Sequence, residues 1–461
     1  MTRQPAVSAG TLSYVDALAA LSARGRFGIR LGLERIRALL AEMGNPETTL
    51  RGALVAGTNG KGSVLALAGS VLREAGYRVG ETPKPHLVSY RERLQIDGLP
   101  IPPDRFAALL EEVLPIADRV AEREGEPTEF ELLTAMIFRW FAEEAVDVAL
   151  VEVGLGGRLD ATHVWDGGVA AVTNVALDHT DRLGATIEAI AREKAAIIEP
   201  GDLAVTGADE PALAIIRHRA AEVAVPLVVV EPAPVVSVER DGIVVELPRL
   251  GQTRVGLRGR HQAANVAVAD AVLDALGEAG IAATTAEQRR AGYSAAVWPG
   301  RLELLDIDRP NGRGTVEVLL DGAHNPAGAA ALAEAIDDLR PFLAGGRDAS
   351  PPPLTLVMAV MADKDVDGII GALSGSRSIA DASVICTRVP LNRALDPDEL
   401  ARRWAAVSPD MHVAVEATPD AALDGALAEA PGPIVVAGSL YLVGAARARL
   451  VDDPLLRDPV A

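Results

Sequence analysis

The sequence predicts an α/β fold in two domains, each built on a mostly parallel sheet. Three observations carry that expectation. Short apolar, β-branched runs alternate with amphipathic helical stretches along most of the chain, the pattern of parallel strands joined by crossover helices. At 461 residues the chain exceeds what one compact core ordinarily holds. Trp298-Pro299-Gly300 punctuates it where the alternation restarts, which divides it into residues 1–298 and 299–461.

Residues 14–43 carry a helical pattern, interrupted by Gly25, Gly28 and Gly32 and ended by Asn45-Pro46. The apolar run 53–56 reads as a buried strand, and the turn GTNGKGS at 57–63 leads from it into a helix over 64–75. Helices follow over 103–124 and 129–144, then a buried strand over 146–153, a strand near 169–173 and a helix over 187–198. Between 227 and 257, short β-branched runs broken by Pro, Asp-Gly and Gly predict a small antiparallel insertion. Helices over 262–279 and 286–295 close this half. The second alternation has strands over 301–306, 316–321, 354–360, 383–387 and 434–437 and an exposed loop over 345–353. It carries no glycine-rich phosphate loop, so the fold expected is a larger P-loop-type N-terminal domain and a smaller Rossmann-like C-terminal one.

Composition narrows the partners. The balance of 44 basic against 64 acidic residues gives a net charge of −20, which repels nucleic acid and anionic membranes. With 3% aromatic residues the cores are aliphatic. The single Cys386 excludes an internal disulfide and a cysteine metal cluster, and a reduced buried thiol suits a cytoplasmic protein. No leader-like segment opens the sequence, and no uncharged apolar run approaches the roughly 20 residues of a membrane span.

The phosphate loop is the most informative feature. Glycines at 57, 60 and 62 let successive amides converge on phosphate oxygens, a helix N-terminus follows, and Lys61 supplies a point charge, which implies a nucleoside triphosphate. The spacing departs from the standard motif, because Gly62 separates Lys61 from Ser63; the bland alternative is a tight turn with a solvated lysine. Glu152 ends an apolar strand, where a carboxylate is costly unless a cation meets it. Beside a phosphate loop that cation is Mg²⁺ shared with phosphates, or else Arg158 in a structural pair. His179 follows Asp178 in a post-strand loop, as a metal or phosphate ligand or as a structural histidine. Lys194, beside Glu193 in a helix, reads on spacing alone as a solvated surface lysine. Asp321-Gly322-Ala323-His324-Asn325-Pro326 suits a cleft site, or an Asn-Pro helix start with Asp321 and His324 capping locally. Arg301, just past Pro-Gly, suits a phosphate contact or a surface salt bridge.

GTNGKGS, PHLVSYRERLQIDG, VEVGLGGRLDAT, LDHT, REKAAII, GRHQAAN, PGRLE, DGAHNPAG and GSLYLVG follow one another between residues 57 and 444, within a match that runs from about residue 14 to about 447. In that order they resemble the folylpolyglutamate synthases and dihydrofolate synthases of the ATP-dependent Mur ligase superfamily. The resemblance implies phosphorylation of a pteroate or folate carboxylate by ATP, followed by attack of the L-glutamate amine to form an amide. It implies phosphate binding by Gly57, Thr58, Asn59, Gly60, Lys61, Gly62 and Ser63, and two Mg²⁺ ions held by Ser63, Glu152, His179 and a carbamylated Lys194. Asn265, Arg301 and Asp321 would contact ATP, and His324 would lie near the incoming glutamate. Phe130, Leu159, Asp160 and Ala161 would line the pteroate site, with Arg30 in the loop 28–33 closing over it. A cytoplasmic monomer without nucleic-acid or membrane partners completes the expectation.

One residue departs from the family pattern. Lys84, in Thr82-Pro83-Lys84-Pro85-His86-Leu87, stands where the family carries a serine that binds magnesium. A protonated lysine cannot ligate Mg²⁺, so Lys84 neutralises phosphate, or Thr82 or Ser89 takes the ligand role, or Lys84 is simply solvated between two prolines. Two other readings compete with the ligase. Another amide ligase of the superfamily, acting on cell-wall precursors, is disfavoured because the phosphate loop begins only 57 residues in. A nucleotide-binding regulatory protein on a ligase scaffold has Lys84 as its support.

Overall fold

A computed structural model of the chain describes residues 12–25, 32–310, 312, 314–348 and 350–459. Arg30 and most of the loop expected to close over the pteroate site lie outside the described residues. The chain forms two compact units. The first comprises Met1–Val230, Val268–Thr285 and Pro454–Ala461, and the second Glu231–Ala267 and Ala286–Asp453.

In the first unit, eight strands among the described residues form one sheet. They are β1 (Gly52–Ala56), β2 (Val79–Thr82), β3 (Gln95–Ile96), β4 (Leu99–Pro100), β5 (Val148–Glu152), β6 (Gly168–Val172), β7 (Leu203–Thr206) and β8 (Leu227–Val229). Their order is β4-β3-β2-β5-β1-β6-β7-β8, parallel except for β3 and β4 at one edge. Every residue of β1 and β5 is buried, as expected of central parallel strands covered on both faces. Leu54 and Val151 pack with Phe138, Trp165 and Leu132 in one core, where each fully buried large side chain contributes roughly 1.5–3 kcal/mol. The register sets Val55 of β1 opposite Glu152 of β5, so the C-terminal ends of β2, β5 and β1 lie side by side.

The helix Lys61–Glu74 leaves β1 through the glycine turn, and the helix Pro103–Glu124 spans the predicted range. A capping box starts the helix Glu129–Glu143: the Thr128 hydroxyl accepts from the amide of Glu131, whose carboxylate accepts from the Thr128 amide at 2.7 Å. That cap sets Phe130 in the first turn. Leu227–Val229 departs from expectation, because it pairs in parallel with β7 rather than joining the antiparallel insertion.

The insertion itself is β9 (Val235–Glu239), β10 (Gly242–Leu247) and β11 (Gly251–Val255), an antiparallel sheet in the second unit. Among the described residues a six-stranded sheet follows: β12 (Glu303–Asp308), β13 (Thr315–Leu320), β14 (Thr355–Met358), β15 (Ser383–Cys386), β16 (Val413–Val415) and β17 (Ile434–Ala437). Its order is β12-β13-β17-β14-β15-β16, with β12 antiparallel to β13 and the other pairs parallel. The expected single boundary at Trp298 assigned the insertion to the first domain. In the structure it groups with the second unit, and polar contacts show why. Arg240, between β9 and β10, donates to Asp306 at 3.0 Å and Glu317 at 2.8 Å, and Arg258 donates to the Leu302 carbonyl at 3.1 Å. Trp404 and Met358 sit in the core of this unit, with the indole N–H 3.3 Å from the Met358 sulfur. No helix among the described residues is long and apolar enough to cross a membrane.

Candidate active site

The phosphate loop forms as predicted and is held by the loop that follows β6. Gly57 has φ 150° and Gly60 φ 83°, and a Cβ on Gly57 would stand 1.8 Å from the Thr173 hydroxyl, so a side chain is excluded there. The Thr58 amide donates to the Asn174 carbonyl and the Asn59 amide to the Asn174 side chain, both at 3.0 Å. Thr173 Oγ1 donates to the Asn59 carbonyl at 2.7 Å. Nothing local in the sequence marks Asn174 as the clasp of a loop more than a hundred residues away.

Two lysines converge on one carbonyl. Lys61 Nζ donates to the carbonyls of Gly57 at 3.0 Å and Thr58 at 3.1 Å, and Lys194 Nζ donates to the same Gly57 oxygen at 2.8 Å. Lys194 is 4% exposed, so the solvated reading of its spacing is corrected. Burial first, and then the neighbouring Lys61 charge, bring its pKa down to about 7, against the pull of Asp178 and Asp160. His179 follows in the left-handed region, φ 51°, with its amide donating to Asp178 Oδ1 at 2.9 Å and its imidazole 3.9 Å from Asp178 Oδ2.

Glu152, at the end of β5, is 3% exposed and lies beside Lys61 and Lys84. Lys61 Nζ stands 3.9 Å from Oε1, and the Lys84 amide donates to Oε2 at 2.9 Å. Lys84 Nζ donates to the Glu152 carbonyl at 2.5 Å and lies 4.8 Å from the centre of the Phe130 ring. Burial brings the Lys84 pKa down to about 8, against the opposing pull of Asp160 and Glu152. Lys84 is therefore not simply solvated. The structural pair of Glu152 with Arg158 does not form: Arg158 Nε and Nη2 instead meet Glu193 Oε1 at 3.0 and 2.9 Å. Nor is Thr82 or Ser89 an evident substitute ligand. Thr82 Oγ1 accepts from the Glu152 amide at 3.1 Å, and Ser89 Oγ donates to Asp458 Oδ1 at 2.7 Å.

The candidate acceptor residues gather on the Lys84 side of Glu152. Asp160 is committed to the backbone: Oδ2 accepts from the Leu155 amide at 2.8 Å and Oδ1 from the Thr162 amide and hydroxyl at 3.0 and 2.6 Å. It shapes the loop while Leu159, Phe130 and Lys84 stay half-buried and Ala161 is buried. The stretch after Lys84 is wound on Glu92, whose carboxylate accepts from the amides of Leu87, Val88 and Ser89 at 3.0, 2.7 and 2.6 Å.

In the second unit, Asp321 follows β13. Its Oδ2 accepts from the Leu302 amide and its Oδ1 from the Ala323 amide, both at 2.9 Å. Arg301 packs so closely on Gly322 that a Cβ there would stand 1.9 Å from Nη1. Asn265 Nδ2 donates to Gln262 Oε1 at 2.8 Å, and Gln262 Nε2 lies 3.2 Å from His261 Nε2. His261 feels the charges of Asp321 and Arg301, while burial lowers its pKa. His261, which received no role from the sequence, is thus linked to Asn265 through Gln262 and lies within reach of the charges of Asp321 and Arg301. His324 Nδ1 is 2.8 Å from the Gly322 carbonyl and so donates to it, and Asn325 caps the helix Pro326–Leu339 through the Gly328 amide at 2.8 Å. Local capping is therefore present in this stretch.

Known proteins share both units. The Mur ligase middle domain family matches residues 55–273, and the dihydrofolate synthetase C-terminal domain family matches 303–448. The dihydrofolate synthase/folylpolyglutamate synthase of Bacillus subtilis is 34% identical over 95% of this chain and 99% of that protein. The chain belongs to the dihydrofolate synthase/folylpolyglutamate synthase family. A Mycobacterium tuberculosis relative of the same description is 36% identical over 92% of this chain and 90% of its own length. Folylpolyglutamate synthase of M. tuberculosis, solved with ADP and AMPPCP, superposes with a TM-score of 0.81 at 33% identity, over 96% of this chain and all of that one. The Escherichia coli FolC complex with DHPP and ADP gives 0.77 at 29% identity, over 95% and 99%. The α/β fold of the family, with its large parallel-dominated sheet and a second sheet beyond it, is what this chain adopts.

Proposed function

We propose that this chain is an ATP-dependent ligase that joins L-glutamate to the carboxylate of dihydropteroate, of a folate, or of both. The carrying observation is the buried Glu152, placed between Lys61 and Lys84 at a strand end beside the phosphate loop. The relatives solved with ADP, AMPPCP and DHPP support ATP and a pteroate as ligands. A carboxylate oxygen of the acceptor takes the γ-phosphoryl group and ADP leaves; the glutamate amine then attacks the acyl carbon, loses a proton, and phosphate departs. The loop amides and Lys61 hold the transferring group, and the β5 end fixes Glu152 against it.

The residues present fit magnesium. Glu152 offers a buried carboxylate at the end of β5, and Ser63 is a buried serine in the first turn of the helix after the phosphate loop, which suits an ion that takes its other oxygens from phosphate and water. His179 and a carbamylated Lys194 are our further ligands, two ions in all; the depressed Lys194 pKa leaves much of that amine unprotonated near neutrality, the form that adds CO₂. Bound magnesium would neutralise charge on the transferring phosphoryl group. We also place the protein in the cytoplasm as a monomer, with the buried Cys386 thiol consistent with a reducing compartment.

The test is ADP release on adding glutamate to enzyme, ATP and magnesium with dihydropteroate, repeated with tetrahydrofolate. Release that needs both glutamate and one of the two acceptors supports the reading. Release with neither acceptor overturns it.

A further inference from the structure

The phosphate loop follows β1, Glu152 ends β5 and Lys84 follows β2, and these strands are neighbours in that order. Moving across the strand ends from the loop, one passes Lys61, then the Glu152 carboxylate, then Lys84. The Lys61 ammonium stands 3.9 Å from Glu152 Oε1, while Lys84 meets the same residue twice, its backbone amide donating to Oε2 and its ammonium to the Glu152 carbonyl. Phosphoryl transfer to a carboxylic acid must bring two anions together, and each needs a cation placed in advance. Lys61 stands on the phosphate side. Lys84 stands on the side away from the loop, with its amine fixed between the Glu152 carbonyl and the face of Phe130. Lys84 and Phe130 are both half-buried, so a ligand can reach them. Asp160, the other carboxylate whose charge reaches Lys84, has both oxygens engaged by Leu155 and Thr162. A flat ring beside a fixed ammonium is suited to a planar aromatic acid.

We propose that Lys84 is the residue that receives the acceptor's carboxylate, a built-in cation that offsets the charge of Glu152 and sets the acid for phosphorylation. The inference rests on the pteroate or folate acceptor proposed above and adds the group that binds its reacting end. The same geometry gives Lys84 a part in holding the β5 end, so the test must separate charge recognition from structural support. Discrimination between an acid and its carboxamide does so.

Equilibrium binding of dihydropteroate and of its carboxamide is measured by titration calorimetry in metal-free buffer at fixed pH, for wild type, Lys84→Met, Lys84→Gln and Lys84→Arg. We expect wild type to prefer the acid, and Lys84→Met and Lys84→Gln to weaken the acid by about tenfold, the scale of one charged hydrogen bond, while leaving the carboxamide unchanged. Lys84→Arg should keep part of the preference, and ATP affinity should stay within about twofold in all variants. Equal weakening of acid and carboxamide would make Lys84 structural only and overturns the proposal, as does an unchanged acid affinity. If Lys84→Met does not fold, Lys84→Gln decides by the same ratio. Failure of wild type to bind either ligand overturns the functional reading itself, and the inference with it.

Discussion

Two strand ends in this molecule look alike in sequence and differ in chemistry. Glu152 closes β5 and Asp321 directly follows β13; each is acidic, comes after an apolar run and is buried. Asp321 spends both oxygens on backbone amides, those of Leu302 and Ala323. Glu152 instead accepts one amide, that of Lys84 on Oε2, and sets Oε1 3.9 Å from the Lys61 ammonium, so its carboxylate keeps a cation beside it. An acid at a strand end thus marks a place where the chain can put a charge. Whether that charge shapes a loop or does chemistry depends on what meets its oxygens.

The comparison makes the two positions respond differently to mutation. Glu152→Gln keeps size and an acceptor for the Lys84 amide but removes the charge, so we expect turnover to fall by ~10²-fold or more with little change in melting temperature. Steady-state kinetics beside a thermal melt check both halves, and a near-normal rate would remove Glu152 from the mechanism. Asp321→Ala strands two amides in a buried turn and should destabilise by roughly 2 kcal/mol, seen as a lowered melting temperature. An unchanged melt would show that the two amide bonds are dispensable and erase the contrast. Arg301→Ala, beside Asp321, should raise the KM for ATP by about tenfold with the melt nearly unchanged, because its guanidinium packs on Gly322 without carrying the turn. A lowered melt at normal KM would make Arg301 a structural residue like its neighbour.

Long periodic elements were legible in the sequence. The helix Pro103–Glu124 and the strand Ile434–Ala437 begin and end where the apolar pattern does, since burial of one face writes itself into spacing. The two-residue strands β3 and β4 are too short for any period to show. Leu227–Val229 has the composition of the insertion that follows it, and only its pairing with β7 tells them apart. The phosphate loop and Glu152 could be read locally because glycines and a lone acid interrupt apolar runs. Lys194 could not: its amine is buried by a carbonyl 137 residues earlier in the chain, and helical spacing holds no trace of such a partner. The same holds for Lys84, whose neighbours Glu152 and Phe130 come from other elements.

The smallest expected effect belongs to Arg158, and it sharpens the account of Glu152. From sequence, Arg158 was the obvious alternative partner for that carboxylate, six residues along the same chain. In the structure its side chain is 55% exposed and its guanidinium reaches a single oxygen of Glu193, and such surface pairs are worth about 0–1 kcal/mol. The local turn does not depend on the side chain, because the Arg158 amide donates to the Glu193 carbonyl at 2.9 Å and the Arg158 carbonyl lies 3.1 Å from His163 Nδ1. Arg158→Ala should therefore leave kcat/KM within about twofold and stability within about 1 kcal/mol, measured on the same preparations as Glu152→Gln. A loss comparable to that of Glu152→Gln would mean that Arg158 leaves Glu193 and meets Glu152 during turnover. The cations that define the β5 end would then include one that the resting geometry assigns elsewhere.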